Sequence, residues 1–500
     1  MKISTQFSFS KILTFIAVIV FSFVSQSKLY AQCTASYPYN NDDNIWIAGY
    51  HCTLAFTENG LFAWGDAMGP TGAEITSPLE VSPANGYNYT GTVLLATLGD
   101  QIFSSNPQSF LLTTTGLYVW GNEGQVIDNS LTTSSTFQPT TLPIGVLPAD
   151  IRKLKASNDI LAILTNSGNV YIRALSNANL YGDGSATINT AWHQAAISNV
   201  QSIKVSEDAV FAYTTTGDFY TWGGTIYLGN GTGTTSSSTP VLMTSPFPGV
   251  VPSMISLTTE ADPSYFALSP SGLIYSLGEG EDGRLGIGSQ TDQTSWVIVR
   301  NPTDTGNLTN VHFIDAADNS NGHGGIGAIT TDGTPYLWGD NSFNMLSNAA
   351  AADQLLPIVP SGFTVGTDFA SYLEMSGHYT LIQIDGNASP CFVGHTLEGN
   401  LGTGVSDPPD ITSLDCDEIP DIDFCVSAPA LTITANDDDF SGTPINPATG
   451  ATTTSVFANN GNGVDDANGS TATDANIDDN INITLDGGLT GVTIINHRTI

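Results

Sequence analysis

Residues 113–121 read TTTGLYVWG, and the same pattern returns at 214–223 as TTTGDFYTWG. Two more copies are TENGLFAWG at 57–65 and TTDGTPYLWG at 330–339. Each joins a polar turn containing glycine to an aromatic segment that closes on Trp-Gly. Glycine supplies the positive φ that a tight hairpin requires. Three weaker copies complete the series. TNSGNVYIR (165–173) has Arg173 in the tryptophan position, SPSGLIYSLG (269–278) has Leu277 there, and QIDGNASPCFVG (383–394) is two residues longer. The turn glycines Gly60, Gly116, Gly168, Gly217, Gly272, Gly333 and Gly386 lie 49 to 61 residues apart. A period of that size suits one four-stranded propeller blade.

The segments before these turns are short and apolar: CTLAF at 52–56, ILAIL at 160–164, AVFAY at 209–213 and SYFAL at 264–268. They read as inner strands buried on both faces. After the turn come Phe62, Tyr118, Tyr171, Tyr220, Tyr275 and Tyr336. The tryptophan, where present, is placed to wedge between blades, and the glycine after it lets neighbouring backbone approach. One repeat cannot bury these faces alone, and seven closing in a ring leave few exposed edges. The expected fold is therefore all-β, a seven-bladed propeller.

Four repeats carry a second turn: LYGDG (180–184), LGNG (228–231), LGIG (285–288) and LGTG (401–404). With both turns in view, the pattern resembles the regulator of chromosome condensation repeat, over residues 44–405. The resemblance implies a seven-bladed ring. The founding member's nuclear role, nucleotide exchange on chromatin, does not suit an exported acidic chain. Secreted bacterial members that use the ring as a protein-binding surface are the closer analogy.

The N-terminus carries Lys2 and Lys11, an uncharged apolar run from Ile12 to Val24, and a small residue at Ala31. This reads as a secretory signal peptide over 1–31, too short for a membrane span. Gln32 before Cys33 disfavours lipidation. The whole chain holds 11 basic and 47 acidic residues. Removing the signal takes away Lys2, Lys11 and Lys28, for a mature net charge of about −39. Such a surface repels nucleic acid and anionic lipid. The mature chain is expected to lack a membrane span and to be a monomer, secreted or at the cell surface, or periplasmic if not exported further. Export permits disulfides. Among Cys33, Cys52, Cys391, Cys416 and Cys425, the easiest pair is Cys416 with Cys425, and Cys33 or Cys52 could meet Cys391.

The propeller is expected over 32–405 and a linker rich in Asp and Pro over 406–430. From 431 to 500 Thr, Ile and Val alternate with Gly, Asn and Asp turns, as in LTITANDDDFSGTPIN (431–446) and NINITLDGGLTGVTI (480–494). This reads as a β-sandwich. It resembles the immunoglobulin-like repeats of large Bacteroidetes-type surface proteins, and further strands of that repeat are expected to be missing. Asp437, Asp438, Asp439, Asp465, Asp466, Asp478 and Asp479 could supply oxygen ligands to calcium, but their spacing fits no EF-hand. Solvated acidic turns are the preferred reading.

No catalytic, cofactor or metal residue is assigned from the sequence. His51, His193, His312, His323, His378, His395 and His497 show no HExxH spacing. His51 and His378 occupy the same place in the first and last repeats, with His323 nearby in the sixth, which argues a structural hydrogen bond. Glu279, Glu281 and Asp282 could cluster on one loop, as a glycosidase pair would require. Tyr87, Tyr89, Trp192 with His193, Trp296 and Phe343 are candidate binding aromatics, each equally suited to packing within its blade. The leading expectation is a non-enzymatic scaffold binding a protein or glycan, with adhesion as one use of it. The alternatives are a secreted polysaccharide-acting enzyme and a secreted inhibitor of another enzyme.

Overall fold

The computed structural model describes residues 46–420, with breaks at 58–59, 100–107, 122–133, 158–159, 259–261, 318–323, 348–351, 386 and 388. It also describes 433–434, 466–467 and 470–471. Seven four-stranded antiparallel sheets follow one another along the chain. They span 46–80, 93–140, 151–194, 200–242, 254–298, 311–358 and 370–415, and are numbered here as blades 1 to 7. The innermost strands are Trp46–Ala48, Val93–Gly99, Ile151–Ser157, Val200–Val205, Met254–Leu257, Val311–Ala316 and Ala370–Met375. Each touches the next, and the last touches the first, so the ring closes. The chain is thus an all-β, seven-bladed propeller.

The four apolar segments picked out by sequence are the second strands of blades 1, 3, 4 and 5, and in all seven second strands every residue is buried, from Cys52–Thr57 to Tyr379–Ile384. The glycine after the tryptophan has a steric cause. A Cβ on Gly65 would lie 2.1 Å from the His51 carbonyl oxygen, and one on Gly394 would lie 2.5 Å from that of His378. Both sit at positive φ, +100° and +130°, so only glycine closes that end of the hairpin.

The tryptophans do wedge between blades, and each finds a definite seat. Trp64, Trp222 and Trp338 are fully buried. Each donates its indole N–H at 2.8 Å to the second turn of the preceding blade: to the carbonyls of Asn400, Leu180 and Arg284 respectively. The glycines of those turns make room: a Cβ on Gly182 would lie 2.7 Å from Trp222 Nε1. Where blades 3 and 5 lack the tryptophan, their outer strands or the loops before them supply one. Trp192 donates to Thr141 O at 2.8 Å, and the Arg173 guanidinium lies over its ring at 4.8 Å. Trp296 donates to Thr244 O at 2.7 Å and covers Gly229.

Two expectations change. The last blade runs beyond 405: its outer strand, Ile411–Asp415, lies in the segment read as linker. Among the described residues a disulfide joins Cys391 to Cys416, not Cys416 to Cys425 or Cys391 to an early cysteine. Phe392 pairs with Asp415 across the sheet, which sets Cys391 opposite Cys416. Cys52 is buried as a thiol in blade 1, and Cys33 and Cys425 lie outside the described residues. The bond closes a 25-residue separation in the final blade. Replacing both cysteines by serine should cost about 3 kcal/mol, by freeing the unfolded chain. Thermal melts with and without reductant check this: reductant should lower the midpoint of the wild type only.

A separate unit, 427–500, shows one three-stranded antiparallel sheet of Ile433–Thr434, Asp466–Ala467 and Ser470–Thr471. The immunoglobulin-like expectation and the calcium candidates, except Asp466, otherwise lie outside the described residues. So do the signal peptide, His323, His497 and Gly386. Among the described residues no helix is long and apolar enough to cross a membrane.

Candidate functional site

The antiparallel blades give the ring two rims. One carries the loops between first and second strands and between third and fourth strands. The other carries the Gly-containing hairpins and the connections from each blade to the next.

On the first rim, three histidines meet where blade 7 closes on blade 1. His51 and His378 precede the second strands of their blades, and His395 follows the third strand of blade 7. The backbone repeats between blades: Asp66 N donates to His51 O at 3.0 Å, and His395 N to His378 O at 2.8 Å. His395 therefore occupies in blade 7 the position of Asp66 in blade 1. One ligating atom from each histidine lies within 4.8 Å of the others. His51 Nε2 and His378 Nδ1 are 2.8 Å apart. This is the hydrogen bond expected of the repeated position, made between the two copies themselves. The remaining nitrogen of His51 meets Glu398 Oε2 at 2.8 Å, and His395 Nδ1 meets Asp410 Oδ1 at 2.9 Å. Tyr50 packs on His51 and His378, and Phe343 stacks on His378 with centroids 3.8 Å apart.

His51 and His378 are buried, while His395 and Glu398 are partly open to solvent. Burial, helped by His395 and opposed by Asp407, pushes the His51 imidazole down to about 3. It is neutral at ordinary pH, with a lone pair on one nitrogen. Burial and then Glu398 and Glu74 push Asp66 up to about 7, and burial with Glu74 and Asp407 raises Glu398.

The other sequence candidates fall into structural roles, Phe343 excepted. Tyr87 and Tyr89 are buried and donate to Met68 O at 2.8 Å and Val81 O at 2.7 Å. Trp192 and Trp296 are the substitute wedges. His193 stacks on Tyr181 at 3.7 Å and pairs with Asp183 at 2.7 Å. Glu279 and Asp282 do converge, but on the buried Arg284, at 2.6 and 3.2 Å. Burial and the carboxylates of Asp262, Glu281, Asp292 and Asp282 push Glu279 up to about 7, against the guanidinium beside it.

The second rim is apolar in places. Ile144, Leu147, Val250, Val251, Val365 and Phe369 are exposed. They sit on the connections leaving blades 2, 4 and 6. On the same rim, a polar cleft of about 300 Å³ is lined by residues including Asn301, Asn307, Asp332 and Tyr336.

No family model matches the chain. It is 32% identical over 154 residues to the human and mouse E3 ubiquitin-protein ligase HERC2. That match takes in 30% of this chain and spans only 3% of the ligase's length. Among solved structures, human WBSCR16 superposes with a TM-score of 0.55 at 16% identity, covering 71% of this chain and 92% of that one. Saccharomyces cerevisiae RCC1 (Prp20), solved bound to Kap60, does so with a TM-score of 0.55 at 14% identity, covering 76% of this chain and 86% of that one. At these identities the likeness is one of fold.

Proposed function

We propose that this chain is an exported scaffold of the regulator of chromosome condensation repeat type, which binds a protein or glycan at or beyond the cell surface without catalysing a reaction on it. The observation that carries this reading is the second rim. Six large apolar side chains stand in solvent there, on three alternate connections of one rigid ring. Among the described residues only Ile188 and Val405 are comparably exposed on the first rim, and a cluster of exposed apolar groups on an otherwise acidic surface marks an interaction site. The aromatics inside the ring, by contrast, have packing roles. The signal-like N-terminus and the acidic charge support export, and the alternating Thr, Ile and Val sequence of 431–500 supports attachment to a larger surface assembly. The yeast propeller of like fold binds Gsp1p and histones, which shows that such a ring can serve protein recognition.

The test is biolayer interferometry of the full chain against purified surface proteins and polysaccharides. Saturable binding to at least one is expected. The triple variant Ile144→Asp, Val250→Asp, Val365→Asp should weaken it at least ~10-fold, as loss of apolar anchors does, with the melting midpoint unchanged. Binding to none, or binding untouched by the triple variant, overturns the reading.

A further inference from the structure

We propose that His51, His378 and His395 bind one divalent transition-metal ion of the zinc class, and that this ion clips blade 7 to blade 1. The site lies on the opposite rim from the apolar connections and does not depend on the binding reading above.

The donor set selects the ion. Three imidazoles suit zinc, copper or nickel rather than calcium or magnesium, which take oxygen. The inward atoms are set by what holds the outward ones. Glu398 holds His51 Nδ1 and Asp410 holds His395 Nδ1, which leaves the Nε2 of each ring to coordinate. His378 contributes Nδ1, already 2.8 Å from His51 Nε2. Two imidazole nitrogens that close can share only one proton. A cation between them, with bonds of about 2.0–2.1 Å, needs these two rings to part by a few tenths of an ångström each, and the His395 ring to draw in from its place within 4.8 Å of them. Carboxylates on the far nitrogens of metal-binding histidines fix the tautomer and raise ligand basicity. A simple hydrogen-bonded histidine pair needs neither these two carboxylates nor a third imidazole within reach. Tyr50 and Phe343, both half-buried, pack against the histidine rings. The partly exposed His395 leaves a fourth position facing solvent, where a water or another donor completes a tetrahedron.

The placement explains what such an ion would do. Every blade draws all four strands from its own stretch of chain, so no strand is exchanged between the first blade and the last. Closure rests on apolar packing and on single hydrogen bonds, among them Ala48 N to Glu374 Oε1 at 3.1 Å, Ser376 Oγ to Gly49 O at 2.7 Å, Tyr379 OH to Cys52 O at 2.7 Å and Gly404 N to Thr76 O at 2.6 Å. His51 and His395 lie near opposite ends of the ring sequence. A metal clip across so long a loop gains most from constraining the unfolded chain.

The full chain, stripped with chelator, is titrated with zinc in excess calcium, so that the acidic C-terminal region is saturated. Calorimetry should show one zinc per chain, and zinc should raise the melting midpoint. Cobalt in its place should give the visible absorption of a tetrahedral nitrogen site. His395→Ala, at a half-exposed position where folding is retained, should abolish the one-to-one binding and the absorption. Glu398→Gln should weaken zinc ~10–100-fold, the usual effect of losing an outer carboxylate. His193→Ala, at the half-buried Asp183 pair, should leave zinc binding unchanged. Absence of zinc binding by the stripped wild type overturns the proposal, as does unchanged stoichiometry and affinity in His395→Ala.

Discussion

Trp222→Ala is expected to lower stability by about 3–5 kcal/mol, the usual cost of deleting a large buried aromatic. The informative comparison is with phenylalanine. Trp222→Phe removes the indole N–H from Leu180 O and leaves that buried carbonyl without its donor. The expected cost is about 2 kcal/mol, part cavity and part lost hydrogen bond. Trp338→Phe should behave alike, since it abandons Arg284 O. Trp120 should not. It belongs to blade 2, and the blade before it lacks the LGxG-type turn. Trp120 stacks instead on Tyr87 and packs against Phe137. Its buried Nε1 has no hydrogen-bond partner among the described residues. Trp120→Phe therefore discards a donor that gains nothing, and about 1 kcal/mol or less should be lost. Urea unfolding midpoints of the three phenylalanine variants decide the matter. Equal losses at all three positions would sink the idea that the second turn exists to seat the next blade's tryptophan.

That pairing was half legible in the sequence. The LGxG-type turns occur in blades 3, 4, 5 and 7, and the fully buried tryptophans with turn partners in blades 4, 6 and 1. The offset of one blade is visible once the ring is known to close. Blade 5 shows why the rest was not. It has Leu277 in the wedge position, yet the turn of blade 4 is intact, because Trp296 from another strand reaches the same glycine. No local pattern reports such a substitution, since it is made across a blade interface. The turn glycines and second strands, by contrast, are local features of hairpin geometry, and the sequence shows them plainly.

The histidine cluster was obscured in the same way. His51 and His378 share a repeat position and could be grouped by aligning blades. His395 stands at the position of Asp66, where most blades have no histidine, so alignment separates it from the other two. It joins them only because blade 7 meets blade 1. The disulfide follows a similar logic. Proximity along the chain favoured Cys416 with Cys425, while sheet register set Cys391 opposite Cys416. In each case the missing information was which distant strand becomes a neighbour.

The centre of the ring provides the second large expected effect. Lys155, Lys204, Asp315 and Glu374 sit at matching places in the innermost strands of blades 3, 4, 6 and 7, and all are buried. Two contacts of Asp315 bear on stability. Its Oδ2 accepts Met375 N of blade 7 at 2.8 Å, and its Oδ1 lies 3.8 Å from Lys204 Nζ of blade 4. Both side chains are almost fully buried, at 2% and 1% exposure. Asp315→Ala removes the carboxylate but leaves the ammonium in place, and losing one member of a buried pair costs about 3–5 kcal/mol. Asp315→Asn keeps an acceptor for Met375 N and should lose less. The double variant Asp315→Leu, Lys204→Met removes both charges, and burying a matched apolar pair is often neutral or better. It should recover much of the alanine loss, short of the hydrogen bond to Met375 N. Urea midpoints of the three variants separate the terms. A double variant no more stable than Asp315→Ala would show that the carboxylate acts through Met375 and not through the charge of Lys204.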